Sequence, residues 1–116
     1  MSVGVIGDKF PFTFLALNSD NKPVEGLTAY ITIFSVDKVT GARILVKDSQ
    51  VMLSTDVPGR FVYVWEIPDT FNDKDNVYGE MWANDIQDPT LRYVAEQEVT
   101  LTVLTTGSGL RSRFIK

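Results

Sequence analysis

The chain has 116 residues, 44% of them hydrophobic and 22% charged, which bounds it to one soluble-type globular domain with a single core. It has no Cys and no His. That removes disulfide staples, thiolate or imidazole zinc sites, and every nucleophilic system built on Cys–His or Ser–His, so an enzyme here would have to run on Asp, Glu, Lys, Tyr or a hard metal, and none is expected. The formal net charge is −4; residues 105–116 carry +3 and no acid, so the remainder stands at −7, which argues against a nucleic-acid groove as the main surface.

Residues 1–9 have no basic start and only a short apolar stretch broken by Gly4 and Gly7, unlike a secretory signal. No run approaches the ~20 apolar residues of a membrane helix, so no membrane partner is expected. If this is the native start, the product stays in the cytoplasm or leaves by a route that needs no signal. Residues 1–9 read as an N-terminal arm, either loose, or a short extra edge strand, or a segment that orders against a neighbouring subunit.

Phe10-Pro-Phe-Thr-Phe-Leu-Ala-Leu17 is the first predicted strand, with Phe10, Phe12 and Phe14 on one face. Pro11 cannot donate to a ladder, so this strand belongs at an edge. Asn18-Ser-Asp-Asn-Lys-Pro23 is a turn cluster. Thr28 to Ser35 is the second strand, with Ala29, Ile31 and Ile33 on one face and Tyr30, Thr32 and Phe34 on the other. Asp37-Lys-Val-Thr-Gly41 reads as a hairpin turn, Ala42–Val46 as the third strand, and Gln50–Ser54, after the Lys47-Asp48 interruption, as the fourth.

Gly59-Arg-Phe-Val-Tyr-Val-Trp-Glu-Ile67 is the strongest strand signal. Phe61, Tyr63, Trp65 and Ile67 alternate, and Gly59 and Pro68 bound the run, so it is the candidate central strand. The loop from Pro68 to Asn76 follows. Val77 to Asn84 is the sixth strand; keeping Glu80 in water puts Val77, Gly79, Met81 and Ala83 inward and leaves Tyr78 and Trp82 outside. After a turn at 85–89, Leu91–Val103 is one long strand with Val99, Leu101 and Val103 inward.

Seven such strands, with turn signals every ~8–12 residues and no helical period, predict an all-β, antiparallel sandwich over residues 10–104. Seven alternating traverses would send the N-terminal arm from one end, beside the turns near 37–41, 55–59 and 85–89. The C-terminal tail would leave from the other, beside those near 18–26 and 68–76.

Four constellations are candidates for chemistry or binding. Asp73-Lys-Asp-Asn76, with Asp69, resembles the opening of an oxygen-ligand calcium loop but has neither its turning Gly nor its closing Glu, so loop 69–76 reads as solvated and no cofactor is expected. Glu66 and Glu80, on strands consecutive in sequence, are the only carboxylate pair that suggests glycoside hydrolysis. Tyr30, Phe34, Tyr78 and Trp82 suggest an exposed aromatic surface for sugars or a protein. In the tail 105–116, Thr-Gly-Ser-Gly forms a flexible link. Beyond it Leu110, Phe114 and Ile115 are interleaved with Arg111, Arg113 and Lys116, and such apolar anchors among cations suit docking in a groove or adding a strand to a partner.

The Lys22-Pro-Val-Glu-Gly26 turn, the strand after it, the Thr40-Gly41 hairpin and Pro58-Gly-Arg-Phe-Val-Tyr-Val-Trp65 together resemble immunoglobulin-like modules of bacteriophage virions. Val77-Tyr-Gly-Glu-Met-Trp-Ala83 and the long strand after it extend the likeness over roughly residues 10–103. The resemblance implies an immunoglobulin-like sandwich of the capsid-decoration, baseplate or appendage type. It also implies a multi-copy or homo-oligomeric structural protein, assembled in the host cytoplasm. Its partners would be virion subunits such as a major capsid or tail protein, with Leu110, Arg111, Arg113, Phe114 and Ile115 as the expected contact residues. A carbohydrate- or surface-binding adhesin module that uses Tyr78 and Trp82 is the alternative.

Overall fold

A computed structural model describes residues 2–84 and 92–103. The strands are β1 (Ser2–Val5), β2 (Lys9–Leu15), β3 (Thr28–Val36), β4 (Arg43–Val51), β5 (Leu53–Ser54), β6 (Arg60–Glu66), β7 (Asn76–Asn84) and β8 (Arg92–Thr102). They form two sheets, one ordered β1-β8-β7-β3-β4 and the other β2-β6-β5. Packed face to face, these make the all-β sandwich that the alternation predicts, with eight strands. All pairings are antiparallel except β1 with β8, which is parallel. The described residues include no helix, and so none long and apolar enough to cross a membrane.

The core forms where the two alternations meet. From the large sheet come Ala29, Ile31, Ile33, Val77, Met81, Ala83, Val99 and Leu101; from the small sheet side come Phe12, Phe14, Phe61, Trp65 and Ile67. Gly79 lies beneath Phe12: a Cβ there would stand 2.7 Å from the ring, so the bare backbone is what lets a phenyl group fill the space. Trp65 is 1% exposed, and its indole N–H has no acceptor among the described residues. Leaving such a donor unpaired costs about 1–3 kcal/mol, which the burial of a large ring offsets. As Pro11 predicts, β2 is an edge strand; its one ladder partner is β6, the centre of the small sheet.

Three sequence expectations need correction. First, the predicted third and fourth strands are largely one traverse. Ile31 pairs with Gln50 and Ile33 with Lys47, so Asp48 and Ser49 both stand opposite Thr32. This is a β-bulge: Ser49 has φ 47° and donates its N–H to the Thr32 hydroxyl at 3.2 Å. The Lys47-Asp48 interruption was therefore a kink within a strand. The chain then crosses between sheets at buried Met52, whose N–H donates to Ala29 O at 2.9 Å, and enters β5.

Second, residues 2–5 belong to the sandwich. β1 runs beside β8 with Ser2 opposite Val99 and Val5 opposite Thr102. Gly4 is buried so closely that an added Cβ would meet Ile67 Cδ1 at 2.9 Å. Of the readings open for this segment, the short edge strand is the one realised.

Third, the poles are redistributed, because the merged traverse changes the parity. The 37–42 turn meets the 67–76 loop at one pole, where Lys38 Nζ lies 3.3 Å from Asp75 Oδ1. The 55–59 turn meets the 16–26 segment at the other, where Ala16 N–H donates to Gly59 O at 2.8 Å and Val24 N–H to Ala16 O at 3.0 Å. Gly59 closes this second pole with φ 75°, in the left-handed region where a side chain is strained. β2 starts at the first pole, where Lys9 pairs with Glu66, and β8 ends there, where Val103 meets Asp73, so the two ends of the 10–103 sandwich share one pole instead of lying at opposite ones. Val103, expected inward, lies just past β8 and is exposed.

Candidate functional site

Leu110, Arg111, Arg113, Phe114 and Ile115 lie outside the described residues, as does the 85–89 turn with Asp85 and Asp88. The last described residues before 105–116 are held at a defined place. Val103 N–H donates to Asp73 Oδ1 at 3.2 Å, and Thr102 Oγ1 donates to the same oxygen at 3.2 Å. The described chain therefore ends at the first pole, against the 67–76 loop.

Two of that loop's carboxylates, Asp73 and Asp75, are engaged by the chain's own groups. Asp75 Oδ2 accepts the Asn72 N–H at 2.8 Å while Oδ1 faces Lys38, and Asp73 holds the end of β8. Lys74 takes φ 71°, and its N–H donates to Leu101 O at 2.7 Å. Among the described residues no group of three or more Asp and Glu is placed to hold a metal ion. Glu66 and Glu80 are not brought together: each alternates with inward residues of its own sheet, so they stand on opposite outer faces of the sandwich.

The four aromatics do share the outer face of the large sheet, as two separate cross-strand pairs. Tyr30 is the ladder partner of Trp82, with rings stacked at 5.8 Å, and Phe34 is the partner of Tyr78 at 5.4 Å. Arg43 covers the Phe34 ring at 4.2 Å and Arg92 approaches Trp82 at 5.4 Å, each supplying a cation–π contact. Between the pairs sits an acidic patch. Glu80 is directly opposite Glu96, and Glu98 is opposite Tyr78. Like charges so placed repel, and Arg43, 3.7 Å from Glu80, partly offsets this. Tyr78 Oη donates to Glu98 at 3.3 Å. Desolvation first, then the Glu98 carboxylate and its hydrogen bond, then Glu96, raise the Tyr78 phenol above its ordinary pKa.

A further feature was not anticipated from the sequence. A cleft of about 450 Å³ opens at the first pole between the β3–β4 hairpin and the 67–76 loop. Val36, Ile44, Val46 and Phe71 supply its apolar lining, and Asp37, Asp75 and the Lys38 paired with Asp75 its charged rim. The carboxylate of Asp37 accepts the N–H groups of Val39 and Thr40, which fixes the turn; the Thr40 bond first and the Val39 bond second hold its pKa below the usual carboxylate value. The cleft exists because the small sheet has three strands and the large one five, so the inner side of β4 is left without a full cover. Only the hydrophobic alternation of Ile44 and Val46 signals it in the sequence, and that pattern looks the same for a covered strand.

No family model, curated protein or solved structure matches this chain.

Proposed function

We propose that the chain is a non-catalytic structural module of a virion, of the capsid-decoration or head/tail accessory kind. It attaches in many copies to other virion subunits, such as a major capsid or tail protein, and assembles in the host cytoplasm. The observation that carries this reading is the composition of residues 105–116: a Gly/Ser link followed by Leu110, Phe114 and Ile115 interleaved with Arg111 and Arg113. A segment that only solvates a chain end has little use for apolar anchors, whereas a docking segment needs them. With residues 2–5 paired in the sheet, residues 105–116 are the proposed means of attachment. Deleting 105–116 is expected to leave the melting temperature unchanged and to strip the protein from particles. Full particle occupancy by the truncated protein would refute the role.

The stacked Tyr30–Trp82 pair favours a second reading, a carbohydrate- or surface-binding module, because an outward aromatic pair beside Glu80 and Glu96 offers both a stacking face and hydroxyl acceptors. Titration of glycans against tryptophan fluorescence separates the two. A response lost in Trp82→Ala supports sugar binding; no response to any glycan removes it.

A further inference from the structure

We infer that the cleft at the first pole, together with the open flank of β6, receives residues Leu110–Ile115 of a second copy of this chain as an added strand. The inference rests on the reading that the C-terminal segment is the attachment device, and it names what that device grips.

The flank is open for a plain topological reason. β6 pairs with β2 along its whole length but with β5 only at Phe61 and Val62. Ile67 turns its N–H and C=O toward the β2 side, to Asp8 O and the Gly7 N–H. By alternation, Val64 and Glu66 turn theirs to the other side, where no described strand meets them. Such unpaired edge groups are a template for strand addition. The flank and the cleft adjoin, because Phe71, in the cleft wall, packs edge-on against Trp65 of β6 at 5.9 Å.

The segment fits this site in pattern and in charge. Extended, it places Leu110, Ser112 and Phe114 on one face and Arg111, Arg113 and Ile115 on the other. With the first face inward, Leu110 and Phe114 cover Ile44, now 50% exposed, and Val46. The arginines then lie on the side where Glu66 is exposed, near the rim that carries Asp37; Asp75 on that rim is already paired with Lys38.

The donor is a neighbour rather than the same copy. Asp73 of the 67–76 loop holds Val103, while Phe71, Asn72 and Asp75 of that loop form the cleft wall. β7 and β3 separate β8 from β4, about 14 Å at ~4.8 Å per strand. A chain's own connector, residues 104–109, reaches about 20 Å at ~3.3 Å per residue, and it would have to cross the wall and reverse within that length. A second copy meets no such restriction.

Two single-defect variants test this. Ile44→Glu blocks the cleft and keeps the segment; because Ile44 is half exposed, the sandwich tolerates it. Deletion of 105–116 removes the segment and keeps the cleft; the strands all lie within residues 2–102. Melting curves confirm that both are folded. In sedimentation the full chain is expected to associate, each variant alone to run as a monomer, and an equimolar mixture to recover a complex with the mass of one of each. A mixture that stays monomeric overturns the inference, as it must if each chain fills its own cleft, and so does either variant associating as well as the full chain. Particle occupancy is read separately. If the deletion empties the particles while the mixture stays monomeric, the attachment role stands and the cleft is wrong; if the mixture forms a complex while the deletion still decorates, the cleft is right and the attachment role is wrong.

Discussion

The two faces of β7 are built from one run of nine residues and obey different rules. Inward, Val77, Gly79, Met81 and Ala83 meet a second layer, and every side chain is sized against something opposite, down to the hydrogen of Gly79 under Phe12. Outward, Tyr78, Glu80 and Trp82 have no layer of described residues above them, and they satisfy themselves sideways. Rings stack across the ladder onto Phe34 and Tyr30, and charges pair with Arg43 or repel across to Glu96. A shared backbone ladder thus carries a face where volume decides and a face where lateral partners decide.

That contrast can be broken or sharpened by substitution. The largest effect is expected from Trp65→Ala, which opens a cavity against the inner face and should cost about 3–5 kcal/mol in denaturant unfolding. Trp65→Phe should cost clearly less, because it also deletes the unpaired indole N–H. Next comes Gly79→Ala: the new methyl must displace the Phe12 ring, at about 1–3 kcal/mol, whereas an outward glycine would have gained from the same change. If Gly79→Ala is neutral, volume does not rule the inner face. Outward, a double-mutant cycle on Tyr30 and Trp82 should return a coupling of about 0.5–1.5 kcal/mol, the range for an aromatic pair. Additive behaviour would mean that the stacking is incidental.

The smallest effect is electrostatic. The Tyr78 pKa is raised in the fold, so its contribution to stability is complete below the ordinary tyrosine pKa and is lost as pH rises through the raised folded value. Glu98→Gln should lower that pKa in an absorbance titration of the phenol and weaken the alkaline dependence. An unchanged titration would show that Glu98 does not set it, leaving desolvation and Glu96.

Much of the sandwich was legible because alternation is local. Ala29, Ile31 and Ile33, like Val77 to Ala83, declare their faces by period, and Pro11 declares an edge by lacking a donor. The misreadings all concern partners far away in sequence. Whether Lys47-Asp48 ends a strand or kinks it depends on Thr32 across the ladder, and whether residues 2–5 are loose depends on Val99 to Thr102. The outward aromatics were visible as a set, but their division into two stacked pairs comes from the β3–β7 register. The cleft was invisible for the same reason: it forms where no described strand stands opposite Ile44, and the pattern of Ile44 and Val46 is the same with or without one.

The pairing of β1 with β8 has a consequence for how the protein is made. Ser2 cannot find Val99 until β8 has left the ribosome, so Gly4 has nothing to seal against until then. Translation must therefore deliver β8 before β1 can settle, and a product stopped short of β8 would hold an unclosed sheet prone to capture by other nascent copies.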